Sequence, residues 1–192
     1  MTTEAEFVEI AHPHSWLLVA DNLHAQAVAL NGARGHSFTG RLDAKGAVQG
    51  RWDTTNRSVF LLGGFALENC IKGFLVYENP QWISNGRLSK QLRSHSLTEL
   101  ASKAHNLPYP QRGRWVLEAF EDGLESWARY PCGLTAATPG EEGILTERLW
   151  SGYLRLMRAY GRRLQGMLKR TWRGPHGFEG HFKFSGQFFD TE

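Results

Sequence analysis

The chain has 192 residues, of which 41% are hydrophobic and 21% charged, enough for one globular domain with its own core. Collagen-like, disordered and disulfide-scaffold classes are excluded by that composition. The formal net charge is only +3, so an electrostatic preference for a partner has to come from clustering of charges and not from their total.

The opening segment MTTEAEFVEI has neither a basic stretch nor an apolar core and does not read as a secretory signal. Two cysteines, Cys70 and Cys132, allow one disulfide at most and no four-ligand metal set. Both are expected to be unpaired thiols of a cytoplasmic protein. Ser15 is predicted to cap a first helix with Trp16, Val19, Leu23, Ala27 and Leu30 on its inward face and Gly32 as its stop. From Gly35 to Gly50 the glycines and the lack of a lasting period predict a long loop, with a short hairpin around Ala44 to Gly46.

Ser58 to Val76 is apolar on nearly every face. It also carries Glu68 and Lys72, each costing about 2.5 to 3.5 kcal/mol at the centre of a bilayer, and three glycines. It is therefore predicted to be a buried core helix and not a membrane span. Asn79 and Pro80 break the chain, and Ser96 with Glu99 forms a capping box for a third helix over SLTELASKAHN. A fourth helix is predicted from Arg114 to about Arg129, with Val116, Phe120, Leu124 and Trp127 inward, Pro131 enforcing its end, and an acidic outer face of Glu118, Glu121, Asp122 and Glu125. Thr138, Pro139 and Glu141 give the strongest start signal, for a long last helix with the apolar stripe Leu145, Leu149, Tyr153, Leu156, Tyr160, Leu164 and Met167 or Leu168. Beyond Trp172 the chain is rich in Gly and Phe without helical period, an irregular aromatic tail over 175–192 following a helical domain over 1–174. Five helices in one bundle with little or no sheet are the expectation.

Three constellations can carry chemistry. Glu68 and Lys72 are the only charges on the central helix, four residues apart and hence side by side. Desolvation makes such a pair poor value for stability, so it marks a polar or ligand-binding cluster, joined by His95 from the next helix start, unless the helix face is wet. On the last helix, Arg148, Arg155, Arg162 and Lys169 recur every seven residues with Arg158 beside them. A stripe of this kind suits a phosphate backbone, where each contact adds salt-sensitive affinity; the competing reading is a solvated face neutralised by the carboxylates of the fourth helix. His12 and His14, and His176 and His181, lack companion ligands at metal-site spacing, so no metal or other cofactor is expected. A phosphate-binding loop and a nucleophile elbow are both missing from the sequence.

The block LLGGFALENCIKGFLV, then SHSLTELASKAHNL, then ESWARYP resembles the HEPN superfamily of small helical proteins. The matching positions are Ala66, Glu68 and Lys72 on a core helix, His95 and Leu97 at a helix start, and Trp127, Arg129, Tyr130 and Pro131 at a helix end. The resemblance implies an all-α bundle that dimerises. Its functions range from metal-independent ribonuclease toxins to partners of RNA or nucleotides in bacterial defence and stress systems. Ribonuclease members carry an Arg, four to six residues and a His near the start of a late helix. Here only Arg170 and His176 have that spacing, and they fall at a helix end broken by Gly174 and Pro175. The expectation is a cytoplasmic, non-catalytic binding or regulatory module, a homodimer that engages RNA, a nucleotide or a partner protein and no membrane. The alternatives are a metal-independent endoribonuclease using Arg170 and His176, and a scaffold that docks a partner through its aromatic tail.

Overall fold

Residues 2–35, 38–53, 55–130, 135, 142–186 and 189 are described by the computed structural model. Among them six α-helices and two small antiparallel strand pairs make the protein mainly α. The helices are α1 (Glu4–Ala11), α2 (Pro13–Gly32), α3 (Asn56–Glu78), α4 (Leu97–Lys103), α5 (Arg114–Glu125) and α6 (Glu147–Leu168). The strands are β1 (Phe38–Leu42) with β2 (Val48–Asp53), and β3 (Trp172–Arg173) with β4 (Glu179–Gly180).

The helix α3 is the axis of the fold, packed against α2, α4, α5 and α6. By length and composition it is apolar enough to cross a membrane, yet 78% of its most apolar window is buried inside the protein. Gly63 and Gly64 explain how closely α5 approaches, since a Cβ at either would lie within 2.7 Å of Phe120 or Leu124. Phe60, Phe120 and Trp127 meet in this contact, with ring centroids 5.0 and 4.6 Å from Phe60.

Several helix boundaries differ from the sequence-based expectation, each for a local reason. An additional helix, α1, precedes the first predicted one; Thr3 and Glu6 form a reciprocal capping box that starts it. The N-cap of α2 is His12, not Ser15: its Nδ1 accepts the Ser15 N–H at 3.3 Å, and Pro13 fills the first helical position. The buried face of α2 is Leu17, Ala20, His24 and Ala27, while Val19 is exposed. At the start of α4 the Ser96 hydroxyl accepts the Glu99 N–H as predicted, but the Glu99 carboxylate takes the Ser94 hydroxyl instead of closing the box.

The fourth predicted helix stops at Glu125. There the Ser126 hydroxyl donates to the Asp122 carbonyl and the Ala128 N–H reaches back to Gly123, which unwinds the last turn. The Arg57 guanidinium takes the freed carbonyls of Trp127 and Tyr130. The start signal at Thr138, Pro139 and Glu141 lies outside the described residues, as do Pro131 and Cys132. The long helix is capped by Thr146, whose hydroxyl accepts the Leu149 N–H at 3.1 Å, so Leu145 is buried ahead of the helix and not on it.

The loop after α2 does form a hairpin. Gly46, at φ +80°, turns the chain, and Asp43 Oδ1 accepts the N–H groups of Lys45 and Ala47. The C-terminal segment packs onto the bundle: Trp172 and Phe189 are buried, and Phe178, Phe182 and Phe184 pack against the core. The His14 ring stacks on Phe182 with centroids 4.2 Å apart, and His12 stacks on both Phe178 and Phe182. These rings, partly buried, pack the tail back onto the bundle.

Candidate nucleic-acid interface and buried polar clusters

The Glu68, Lys72 and His95 side chains meet. Lys72 Nζ lies 2.6 Å from Glu68 Oε1, and His95 Nδ1 lies 3.0 Å from Glu68 Oε2. Glu68 and Lys72 are each 4% exposed, whereas the His95 side chain is about half exposed. The pair is therefore dry and reaches water only through the imidazole. Trp16 closes its other side, with Lys72 Nζ 5.9 Å from the ring centroid. Both carboxylate oxygens are engaged by these partners, and among the described residues no nucleophile bonds to the group. The arrangement locks α4 to α3 through a charge-assisted bond.

A second buried polar group, which the sequence did not single out, is His24. It is 2% exposed, and its Nδ1 lies 2.9 Å from the Tyr153 hydroxyl. Burial, reinforced by the Arg158 cation, pushes its pKa down from 6.5 to about 4. A depressed folded pKa means that the unfolded chain binds the extra proton first. Stability from this group is full above pH 6.5 and is lost as the pH falls toward 4. Between pH 7 and pH 4.5 the loss should be about 2 to 3 kcal/mol, and His24→Gln should remove that share of the acid sensitivity in urea unfolding. Equal losses in the wild type and the variant would contradict it.

Arg170 and His176 do not form a site. His176 Nε2 lies 2.6 Å from the Ser84 carbonyl oxygen and 3.7 Å from Glu4 Oε2, and its backbone adopts φ +56°. No hydrogen bond or ion pair joins it to Arg170, and His176 follows α6 within a short turn, Pro175–Gly177, instead of opening a helix. Its ring ties the C-terminal segment to the loop after α3.

The basic stripe of α6 is present on the surface: Arg148, Arg155, Arg162 and Lys169 are exposed. Arg158 leaves it, half-buried beside His24. The acidic face of α5 has other duties. Glu118 pairs with Arg114 at 2.7 Å, Glu121 accepts the Ser96 hydroxyl and the Thr98 N–H at the start of α4, and Asp122 accepts the Trp127 indole N–H. Three of the four α5 carboxylates are thus engaged by local partners on α5, at its C-terminal end and at the start of α4.

Between the start of α5 and α6 lies a groove of about 390 Å³ whose walls include Tyr109, Arg112, Trp115 and Arg155. Tyr109 and Trp115 are 57% and 38% exposed. The Arg148 guanidinium sits 5.4 Å from the Trp115 centroid. Gly152 lets the indole lie flat on α6, because a Cβ there would be 2.8 Å from it. The groove thus gathers two aromatic rings and two guanidinium groups in its walls, with Arg148 beside Trp115, the residue types that single-stranded nucleic acid engages. Sequence reading found the arginines of α6 but missed Tyr109, Arg112 and Trp115. The signal was there in YPQRGRW, where two aromatics flank two arginines.

Among the described residues no three His, Cys, Asp or Glu side chains converge as a metal site. Compared with protein-family models, curated proteins and solved structures, the chain matches none.

Proposed function

We propose that the protein is a non-catalytic, HEPN-like helical module that binds single-stranded RNA along the groove between α5 and α6. The observation that carries this reading is the juxtaposition of two exposed aromatic rings, Tyr109 and Trp115, with Arg112, Arg148 and Arg155. Stacked bases supply sequence-tolerant affinity on the rings, and the guanidinium groups meet the phosphates. The rest of the α6 stripe, Arg162 and Lys169, extends the same positive face. A cytoplasmic role in bacterial defence or stress follows from the resemblance of the Glu68, Lys72, His95 and Trp127 positions to HEPN proteins.

Non-catalysis rests on His176, the one histidine at ribonuclease spacing from an arginine, being engaged with a backbone carbonyl and apart from Arg170. An acid–base catalyst has to reach the proton it moves. Purified protein incubated with a labelled single-stranded RNA in chelator should retard the RNA and leave it full length, with His176→Ala behaving as the wild type. RNA cleavage abolished by His176→Ala would make the protein an endoribonuclease instead.

A further inference from the structure

The segment between α3 and α4 encloses a second, separate concavity of about 340 Å³. Its walls include Arg87, Lys90 and Arg93, the carboxamide residues Gln81 and Asn85, and Trp82. The shape follows from the chain. Pro80 starts a single turn that buries Ile83, Gly86 at φ +59° reverses direction, and a second turn buries Leu92. The two apolar anchors pin the ends, and the Ser89 N–H closes the loop onto the Trp82 carbonyl at 2.8 Å. What lies between the anchors is left facing solvent as a polar bowl.

The charge in this bowl is one-sided. From residue 79 to residue 98 the sequence has no Asp or Glu, and no carboxylate lines the cavity. Of the neighbouring acids, Glu4 lies beside Gly86 with its carboxylate 3.7 Å from His176, and Glu99 is taken by Lys103 and Ser94. Arg93 is held in place by two bonds from its guanidinium to the Leu88 carbonyl, at 3.3 and 3.2 Å. Among the described residues neither Arg87 nor Lys90 has an ion-pair partner. Three cations around one hollow raise its potential and favour an anion that bridges them.

We propose that this cavity binds a small phosphorylated molecule carrying at least two negative charges. The guanidinium group of Arg87 suits phosphate oxygens bidentately, and Arg93, whose Nε and Nη2 are given to the Leu88 carbonyl, and Lys90 supply the second and third charges. Trp82 offers an apolar wall for the remainder of the molecule, while Gln81 and Asn85 hydrogen-bond its hydroxyl or amide groups. The volume suits a small-molecule ligand. The site is independent of the groove between α5 and α6 and does not rest on RNA binding.

The test is calorimetric titration of the full chain with inorganic pyrophosphate at constant ionic strength, with phosphatidic acid vesicles as a parallel arm. Saturable one-to-one binding of pyrophosphate is expected, weakened at least about tenfold in Arg87→Glu/Lys90→Glu, as the loss of charge-assisted hydrogen bonds requires. Both residues are exposed, and an unchanged circular dichroism spectrum verifies that variant's fold. Arg148→Glu/Arg155→Glu should bind pyrophosphate as the wild type does, which separates this site from the RNA groove. Absence of saturable binding, binding unaffected by Arg87→Glu/Lys90→Glu, or binding to vesicles without binding to pyrophosphate would each overturn the proposal.

Discussion

Lys72→Met should destabilise the protein by about 3 to 5 kcal/mol, because it strands the Glu68 carboxylate in a dry site with only the half-exposed His95 beside it. The two charges attract strongly at 2.6 Å, but each gave up its hydration to reach the core, so the pair as a whole adds little net stability. Removing one member leaves the desolvation cost of the other without its compensation. Removing both leaves neither. The double variant Glu68→Leu/Lys72→Met should accordingly recover most of what Lys72→Met loses. His95→Ala, which breaks only the half-exposed bond, should cost under about 1 kcal/mol. Urea unfolding of the three variants at neutral pH checks the set. A loss below about 1 kcal/mol for Lys72→Met would mean that water reaches the pair and that it is a surface bridge.

The elements easiest to read in the sequence are those whose signal is local and strong. The core role of Ser58 to Val76 follows from two charges among nineteen residues, and α3 is indeed the buried axis. The contact of Glu68 with Lys72 was legible for the same reason, since helical spacing alone sets them side by side. Boundaries were harder. Where α5 stops depends on the Ser126 hydroxyl and on Arg57, a residue far away in sequence, and no periodicity encodes that. The inward face of α2 was misjudged at Val19 because the helix is apolar on more than one side. Which side is buried is decided by α3, against which α2 packs.

The groove proposed to bind RNA was half legible. A heptad of cations shows on α6 by spacing, but the rings that give it a shape, Tyr109 and Trp115, come from a segment without regular period. Gly152 makes room for the indole, and in a sequence it reads merely as a weak point in a helix. Arg158 shows the opposite failure: by spacing it joins the stripe, and packing turns it toward His24. His24 itself could not be singled out, because one histidine among eight carries no mark of burial.

Arg148→Glu/Arg155→Glu should abolish most of the RNA affinity, the larger of the two effects in fold terms. Each substitution deletes a phosphate contact and adds a repelling charge, and Arg148→Glu also strips the guanidinium from the face of Trp115. Counterion release sets a dependence of log affinity on log salt with a slope of about −0.7 per phosphate neutralised on a single strand. Two lost contacts should flatten that slope by about 1.4. Trp115→Ala should act differently, lowering affinity by about 1 to 3 kcal/mol through lost stacking while the slope stays put. Arg148 and Arg155 are exposed, so the double arginine variant should unfold at nearly the wild-type urea concentration, whereas Trp115→Ala loses the packing of its indole on α6 and is compared without urea, where its circular dichroism should match the wild type.

The most direct measurement is fluorescence anisotropy of a labelled single-stranded RNA, titrated with wild type, Arg148→Glu/Arg155→Glu and Trp115→Ala across a series of salt concentrations. Binding by wild type, a flattened salt slope in the double arginine variant and a parallel, weakened line for Trp115→Ala are the predicted result. RNA binding absent from the wild type, or present with the same affinity and salt slope in all three proteins, would contradict the assignment of the groove between α5 and α6 as an RNA surface.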